Sequence, residues 1–535
     1  MGARPTRFCG EAWDVAFRMA WMLAVAASVA GAAGGDWPQW RGPARTGVAA
    51  GDAPLADAWP EGGPPMLWQS EPIPGGGEGG YGSPVVADGR VYLYVSWKYT
   101  EPIPTRTLTV DGLKKLGWRP EALPPDLADA VEKARLGEER AGIRGKALGE
   151  WIEQWVGAHL DAAQEKALGG AVKDRLKRGG SAIGLKVLER LETIKDKAFP
   201  SQEELDAWFD ASGVVDELRK DVMKVIATGI TKSNDVFVCL DGADGKTLWK
   251  ATFPGRPEGH GTSSTPCVRA DRVYATGSDG QVFCLDAGTG DTVWSVKVGK
   301  GGPSASPLVV DGVVVVAPGH LMALDAQTGG VRWEQAKVQP KHSSPAAWRA
   351  GARTWVIARS GKDLACVDAD TGEVLWQAAC GEGDASPVVA GDRAVVMTSK
   401  DETGLVAFRL SPEKGEKAWT VPLAVRGATP VIYDGRVYAA GAKKAVCVDL
   451  ESGKVVWESE ALKEDWSSPA FVSGRLLANL GGQSVLMEAG DEGLSRLGRA
   501  RLGPLRCTSP AVADGRLYIR QDKAVACYDL GPRIE

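Results

Sequence analysis

A cysteine, an aspartate two residues on and a tryptophan ten residues on, as Cys284, Asp286 and Trp294 stand in CLDAGTGDTVW, are residue types that can build a redox or metal site. The frame recurs, and the recurrence changes its reading. With a glycine six places after the small residue it returns as Cys239, Asp241, Gly245, Trp249; as Ala323, Asp325, Gly329, Trp333; as Cys366, Asp368, Gly372, Trp376; and as Cys447, Asp449, Gly453, Trp457. Two looser copies are Ala407, Gly415, Trp419 and Met487, Gly493, Leu497, the second without Asp or Trp. Alanine alternates with cysteine at the small position, so what that position requires is a small apolar side chain. Equivalent sites in successive repeats lie beyond the Cα separation of about 7 Å that a disulfide tolerates. Cys239, Cys284, Cys366, Cys447 and Cys527 therefore read as buried fillers. The aspartates read as turn caps rather than calcium ligands, and the glycines supply the positive φ that closes the turn.

The remaining chemistry-bearing residues sit in stretches that differ from repeat to repeat: Glu78, Tyr81, His260, Lys341, His342, Glu382, Asp384, Arg426, Asp465, Trp466, Arg506 and Cys507. Of these, Tyr81, His260, His342, Asp384, Arg426, Trp466 and Arg506 are the candidate ligand-binding set. The alternative is that they are ordinary solvated loop residues. A metal site of His260, His342 and His320 is a weaker reading, because each histidine belongs to a different repeat. Cys507 has no histidine in sequence reach to activate it as a nucleophile, and no catalytic residue is assigned.

The elements that must position these residues follow from a second landmark. Ser83-Pro84, Thr265-Pro266, Ser306-Pro307, Ser344-Pro345, Ser386-Pro387, Thr429-Pro430, Ser468-Pro469 and Ser509-Pro510 each open an apolar strand (A) that turns into a second (B). The small-x-Asp strand (C) and the Trp strand (D) follow. From Pro266 onward the prolines are 41, 38, 42, 43, 39 and 41 residues apart, the period of a four-stranded propeller blade. The expected fold is all-β, an eight-bladed β-propeller of four-stranded antiparallel blades. The last repeat ends before any D strand, and Met66-Leu67-Trp68-Gln69 can complete it and close the ring. Trp68, Trp249, Trp294, Trp333, Trp376, Trp419 and Trp457 are the structural docking residues. Each ring needs a shallow floor, which the small residue ten places earlier can provide. Leu497 predicts that the seventh blade is the least tightly packed.

Pro84 and Pro266 are 182 residues apart, so the first blade carries an insertion between strand B (Val91 to Val95) and strand C (Val236 to Leu240). Helical apolar spacing runs through Asp126 to Leu136, Glu138 to Leu160, Asp161 to Lys177, Ile183 to Asp196, Ser201 to Ala211 and Val214 to Ala227. Ser201 and Glu204 have capping-box spacing. In an up-and-down blade the D-to-A and B-to-C connections share one face, so the insertion and the variable loops belong together there. The domain reading is 1–33 signal peptide, 34–63 N-terminal extension, 64–100 closing strand and first-blade A and B strands, 101–234 α-helical insertion, and 235–535 the remaining propeller.

The signal reading rests on Arg4, Arg7 and Arg18 before an apolar run from Met19 to Ala30 and the small-residue site Ala30-Gly31-Ala32. It places the chain in the periplasm or cell envelope, with no transmembrane span in the mature protein. A formal net charge of -5 gives no electrostatic case for nucleic acid.

The repeated frame, the blade period and the Trp-to-small spacing resemble the PQQ-like repeat family, the propellers of quinoprotein alcohol dehydrogenases and of the BamB-type scaffold. The resemblance covers 64–99 and 235–535, and DWPQWRGPARTGV at 36–48 is similar to the amino-terminal signature of exported bacterial members with a helical insertion. An enzymatic member implies PQQ and calcium held by Glu, Asn and Asp, a catalytic Asp, a Trp stacked on the quinone and often a vicinal disulfide. This chain has no adjacent cysteine pair and only two asparagines, Asn234 and Asn479. Asp384 and Trp466 are the residues that would have to serve as acid and stacking ring. The expectation is therefore a non-enzymatic exported scaffold for a protein, peptide or glycan, with no cofactor. The alternative is a PQQ- and calcium-dependent oxidoreductase.

Overall fold

The computed structural model describes residues 35–51, 53–75, 80–257, 262–299, 304–400, 402–423, 428–441, 444–460 and 467–532. The proposed signal peptide lies outside them. The chain divides into two units, Met1–Lys98 with Ser233–Glu535, and Tyr99–Lys232.

In the first unit the strands form eight antiparallel sheets in the expected order. The first blade is Val85–Ala87, Arg90–Thr107, Ala227–Asp241 and Thr247–Pro254. Six blades of four consecutive strands follow, within 267–297, 308–335, 346–379, 388–421, 431–460 and 470–500. The eighth takes three strands from the end of the chain and its outer strand, Met66–Gln69, from the beginning, with Trp68 in register opposite Cys527. The propeller and its closure are as expected.

The Ser/Thr-Pro landmark has a structural cause. At the hub the inner strands of adjacent blades meet without a backbone ladder. The amide of each Ser or Thr donates to the hydroxyl of the corresponding residue in the neighbouring blade, at 2.8–3.3 Å. The chain of bonds runs from Ser83 to Thr265, through Ser306, Ser344, Ser386, Thr429, Ser468 and Ser509, and back to Ser83. A buried amide without a partner is costly, and the following proline has no N–H to satisfy.

The tryptophans fasten the rim. Seven indole N–H groups donate across the blade boundary, Trp68 to the carbonyl of Gly242, Trp249 to Ala287, Trp294 to Ala326, Trp333 to Ala369, Trp376 to Ser411, Trp419 to Leu450 and Trp457 to Gly490, all at 2.8–3.0 Å. Their floor differs from the expected one. The small residue ten places earlier is the cross-strand partner, Cys284 opposite Trp294 for instance. The ring itself rests on the turn glycine of the next blade. A Cβ added to Gly290 would come 2.5 Å from Trp249, and one on Gly329 would come 2.7 Å from Trp294. These glycines are fixed twice, by a φ of 78° or 74° and by the indole above them. Asp286 caps its turn by accepting from the amides of Gly288 and Thr289 at 2.9 and 3.0 Å. The eight described cysteines are all free. Burial pushes the thiols of Cys239, Cys366 and Cys527 up to about 12, as expected of inert fillers.

The N-terminal segment does more than precede the ring. Trp37 pairs with Val86 on the first inner strand, Val268 donates to Pro38 on the second, and Val48 pairs with Phe471 on the seventh. Between these contacts Arg41 and Arg45, 1% and 4% exposed, reach into the hub. Arg41 donates to the carbonyls of Thr429 (3.0 Å), Thr46 (2.8 Å) and Pro430. Arg45 donates to Pro345 at 2.6 Å and Pro307 at 2.8 Å. The segment is an internal plug. Burial lowers the guanidinium of Arg41 to about 9 and that of Arg45 to about 10, and carbonyl dipoles stand in for a counter-charge.

At the seventh blade Leu497 cannot make the indole bond, and the same segment replaces it. The amide of Ala56 donates at 2.8 Å to Leu530, the position of the eighth blade's turn that a tryptophan would reach. Trp59 donates its backbone N–H to Leu497 at 3.1 Å, and a Cβ on Gly498 would lie 2.5 Å from its side chain. Looser packing appears on the blade's other side. Between the sixth and seventh blades an apolar crevice is lined by Tyr438, Ala440, Trp457, Ala478, Leu480 and Leu494. There the turn glycine, Gly493, has no ring against it.

The second unit is helical: α1 (Val110–Lys115), α2 (Pro125–Leu136), α3 (Glu138–Gly142), α4 (Gly145–His159), α5 (Ala162–Arg178), α6 (Leu185–Glu192), α7 (Gln202–Ser212) and α8 (Asp216–Met223). The continuous helix expected over Glu138 to Leu160 is broken into α3 and α4 at Ile143-Arg144, where flanking Gly142 and Gly145 lower helix propensity and Gly145 takes a φ of 60°. Ser201 accepts from the amide of Glu204 at 3.3 Å. A complete capping box, not anticipated, joins Asp161 and Gln164. Strands B and C of the first blade extend past their expected ends, to Thr107 and back to Ala227.

Candidate functional site

Of the candidate loop residues, His260, Arg426 and Trp466 lie outside the described residues, as do Glu78 and Asp465. Tyr81 is half-buried, its amide donating to Thr262 at 3.1 Å. His342 is exposed in a turn where Lys341 has a φ of 52°. Asp384 is half-buried, and its charge acts on the buried guanidinium of Arg359. Arg506 is exposed, beside half-buried Cys507, which has a φ of 67°. The residues stand on the loops of different blades. His320, expected on the same face, pairs with Glu334 at 3.3 Å.

A buried polar layer beneath these loops was not anticipated. It is carried by the B strands: Ser96, Thr276, Arg359, Asn479 and Arg520 each follow the apolar run of their strand. That pattern, a polar or charged side chain after the apolar run of a hub-side strand, is visible in the sequence and was the available signal. Arg520 is fully buried and donates to Gly82 at 2.8 Å. Arg359 donates to Met397 at 3.0 Å and to Gly381. Asn479 donates to Thr508 at 3.2 Å and accepts from Ser484 at 2.8 Å.

The richest corner of this layer joins the first two blades. Asp235, fully buried, accepts from the Tyr94 hydroxyl at 2.7 Å and from the Ser278 amide at 2.9 Å. Burial holds the Asp235 carboxyl above its ordinary range and the Tyr94 phenol well above its own. Around the pair, the hydroxyls of Ser233, Ser264 and Thr276 are buried with no protein partner among the described residues. Chemically this is a corner of hydrogen-bond donors and acceptors, with one cation nearby in Arg520, whose charge acts on Tyr81 and Tyr94.

Among the described residues the donor set does not fit a calcium-held quinone. Calcium needs six or more oxygens, with carboxylates or amides converging. Among the described residues no three His, Cys, Asp or Glu side chains come together. Asn479 is engaged by Thr508 and Ser484, Asp235 by Tyr94 and Ser278, and at the hub Arg41 and Arg45 take up the Pro and Thr carbonyls.

Against known proteins, residues 232–410 and 317–531 match the family model described as outer membrane protein assembly factor BamB. BamB of Burkholderia pseudomallei is 24% identical over 289 residues, 43% of this chain and 74% of that protein. BamB of Yersinia pestis is 23% identical, over 52% of this chain and 65% of its own. A polyvinylalcohol dehydrogenase of Sphingopyxis is 24% identical over 41% of this chain and 36% of its own. Among solved structures, BamB from Moraxella catarrhalis aligns with 56% of this chain and 90% of its own at 17% identity and a TM-score of 0.45. No described helix is long and apolar enough to cross a membrane.

Proposed function

The chain belongs to the family of outer membrane protein assembly factor BamB, and from that premise we propose that it is an exported, non-enzymatic scaffold of the cell envelope that binds a protein partner through its variable-loop face. The observation that carries this reading is the plug. With Arg41 and Arg45 seated on hub carbonyls, the chain itself takes up acceptors at the hub, and recognition is left to the loops around it. Tyr81, His342, Asp384 and Arg506 offer an aromatic ring, an imidazole, a carboxylate and a guanidinium on separate loops, suited to a broad surface rather than to a reacting centre. A peptide or a glycan is the alternative ligand at the same face.

The test is cross-linking and capture in envelope fractions with the full chain. A defined partner that is lost on combining His342→Ala with Arg506→Ala, both exposed, supports the scaffold. Capture unaffected by those changes removes the loop face from the proposal. The oxidoreductase alternative draws on the dehydrogenase relative. Saturable uptake of PQQ with calcium, followed by dye-linked alcohol oxidation, would replace the scaffold reading with that one.

A further inference from the structure

The helical unit has its own cavity, independent of anything the propeller binds. Its apolar side chains form two small cores. One is built on Leu113, Trp118, Leu188, Leu191 and Phe209, the other on Val131, Ile152, Val156, Val172 and Leu176. At the seam between them lies a groove lined by the 117–123 loop, by residues of α6 and by Ala171 and Arg175 of α5. It encloses about 120 Å³, room for one branched aliphatic or aromatic side chain. Trp118, Leu123, Ala128, Leu185 and Leu188 supply the apolar surface.

Charge decides what fits. The cations in the lining are already engaged. Arg175 donates to Glu132 at 2.9 Å, to the Gly117 carbonyl at 3.3 Å and to the Ile183 carbonyl at 3.0 Å. Arg119 pairs with Asp174 at 2.9 Å. The carboxylates are at the rim and exposed, Glu121 on the loop wall, Glu189 and Glu192 on α6. Glu192 pairs at 3.5 Å with Lys195, whose ammonium also lies 5.0 Å from the Trp118 ring. Glu189 and Glu192 are three residues apart and therefore on one helix face, and Glu121 lines the same groove. The result is an apolar seat with an acidic rim.

We propose that this groove binds a short polypeptide segment of a partner in which one apolar side chain is flanked by Lys or Arg. The apolar residue fills the seat beside Trp118 and Leu188, and the flanking cations lie against Glu121 and the α6 carboxylates. An anchor side chain in a desolvated pocket with charges at the rim is an arrangement that gives both affinity and selectivity.

The experiment uses the full chain and fluorescein-labelled hexapeptides read by anisotropy: one with Leu between Lys and Arg, one with Leu between two Glu, and one with Ser between Lys and Arg. Saturable binding of the first peptide, about tenfold or more tighter than either control, is expected. Glu189→Lys with Glu192→Lys, both on the surface, should weaken it by about the same factor. Ala128→Trp, which fills the seat from a half-buried position, should abolish it, with the unfolding midpoint of each variant confirming the fold. The inference is overturned if no peptide binds, if the Glu or Ser peptide binds as well as the first, or if the charge-reversed variant binds as the parent does. None of these outcomes bears on capture through the propeller loops.

Discussion

Two boundaries of the same ring are closed in different ways. Between the second and third blades Trp294 brings its own fastening, an indole N–H 3.0 Å from Ala326 and a ring face on Gly329. Between the seventh and eighth, Leu497 brings neither, and a segment from the far end of the chain takes over: the Ala56 amide makes the hydrogen bond to the eighth blade's turn, and Trp59 packs on Gly498 of the seventh blade's own outer strand. The local fastening is written into each repeat and forms as soon as two neighbouring blades exist. The borrowed one exists only when the N-terminal segment has been laid along the ring. A degenerate repeat is tolerated where a non-repeated element holds the same boundary.

The largest effect separating the two boundaries is expected from Trp294→Ala. It should cost about 3–5 kcal/mol in urea unfolding, from the lost ring and the cavity left behind. Arg41→Ala should cost about 2–3 kcal/mol by the same measurement, because hub carbonyls lose a charged donor inside the protein. A loss of under half a kilocalorie, roughly the scale of a neutral surface change, would show that the plug is not what holds the sixth and seventh inner strands. Trp59→Ala should cost about 1 kcal/mol less than Trp294→Ala, since the Trp59 indole nitrogen makes no hydrogen bond among the described residues. Leu497→Trp sharpens this further. In the parent it should destabilise by about 1–3 kcal/mol through overpacking against Trp59, whereas in the Trp59→Ala background it should restore stability. Destabilisation in both backgrounds would mean that the two rings do not compete for one seat.

The smallest effect lies away from both boundaries, at Asp235. Burial raises its pKa from the ordinary value of 3.8, so the folded state holds this proton to higher pH than the unfolded chain does. Its contribution to stability is therefore fully present below 3.8 and lost as pH rises through the raised folded value. Asp235→Asn should flatten the loss of stability above pH 3.8, measured by thermal unfolding across a pH series, and should leave the ring otherwise unchanged. A variant with the parent's pH slope would show that the proton is not held there.

The ring itself was legible in the amino-acid order. Eight Ser/Thr-Pro starts, a 40-residue spacing and the recurring Trp are local features, repeated because each blade solves the same burial problem. Of the candidate site less was legible. Loop residues stand out by failing to repeat, but that says only that they are free to differ. The polar B-strand positions, Arg359 and Arg520 among them, are readable as charges after apolar runs, but one-dimensional order does not say that they are buried beneath the loops.

The number of blades, their strand order, the closing role of Met66–Gln69 and the presence of a helical insertion are readable from residue order, because each is set by patterns within about one repeat length. Tertiary structure alone decided the floor under each tryptophan, the plug and the borrowed fastening. Arg41 meets Thr429 across 388 residues of chain, and Trp59 meets Gly498 from the opposite end of the sequence. A non-repeated segment has no register to read. Its partners are fixed only when closure of the ring brings buried carbonyls and a bare glycine to where one arginine and one tryptophan can satisfy them.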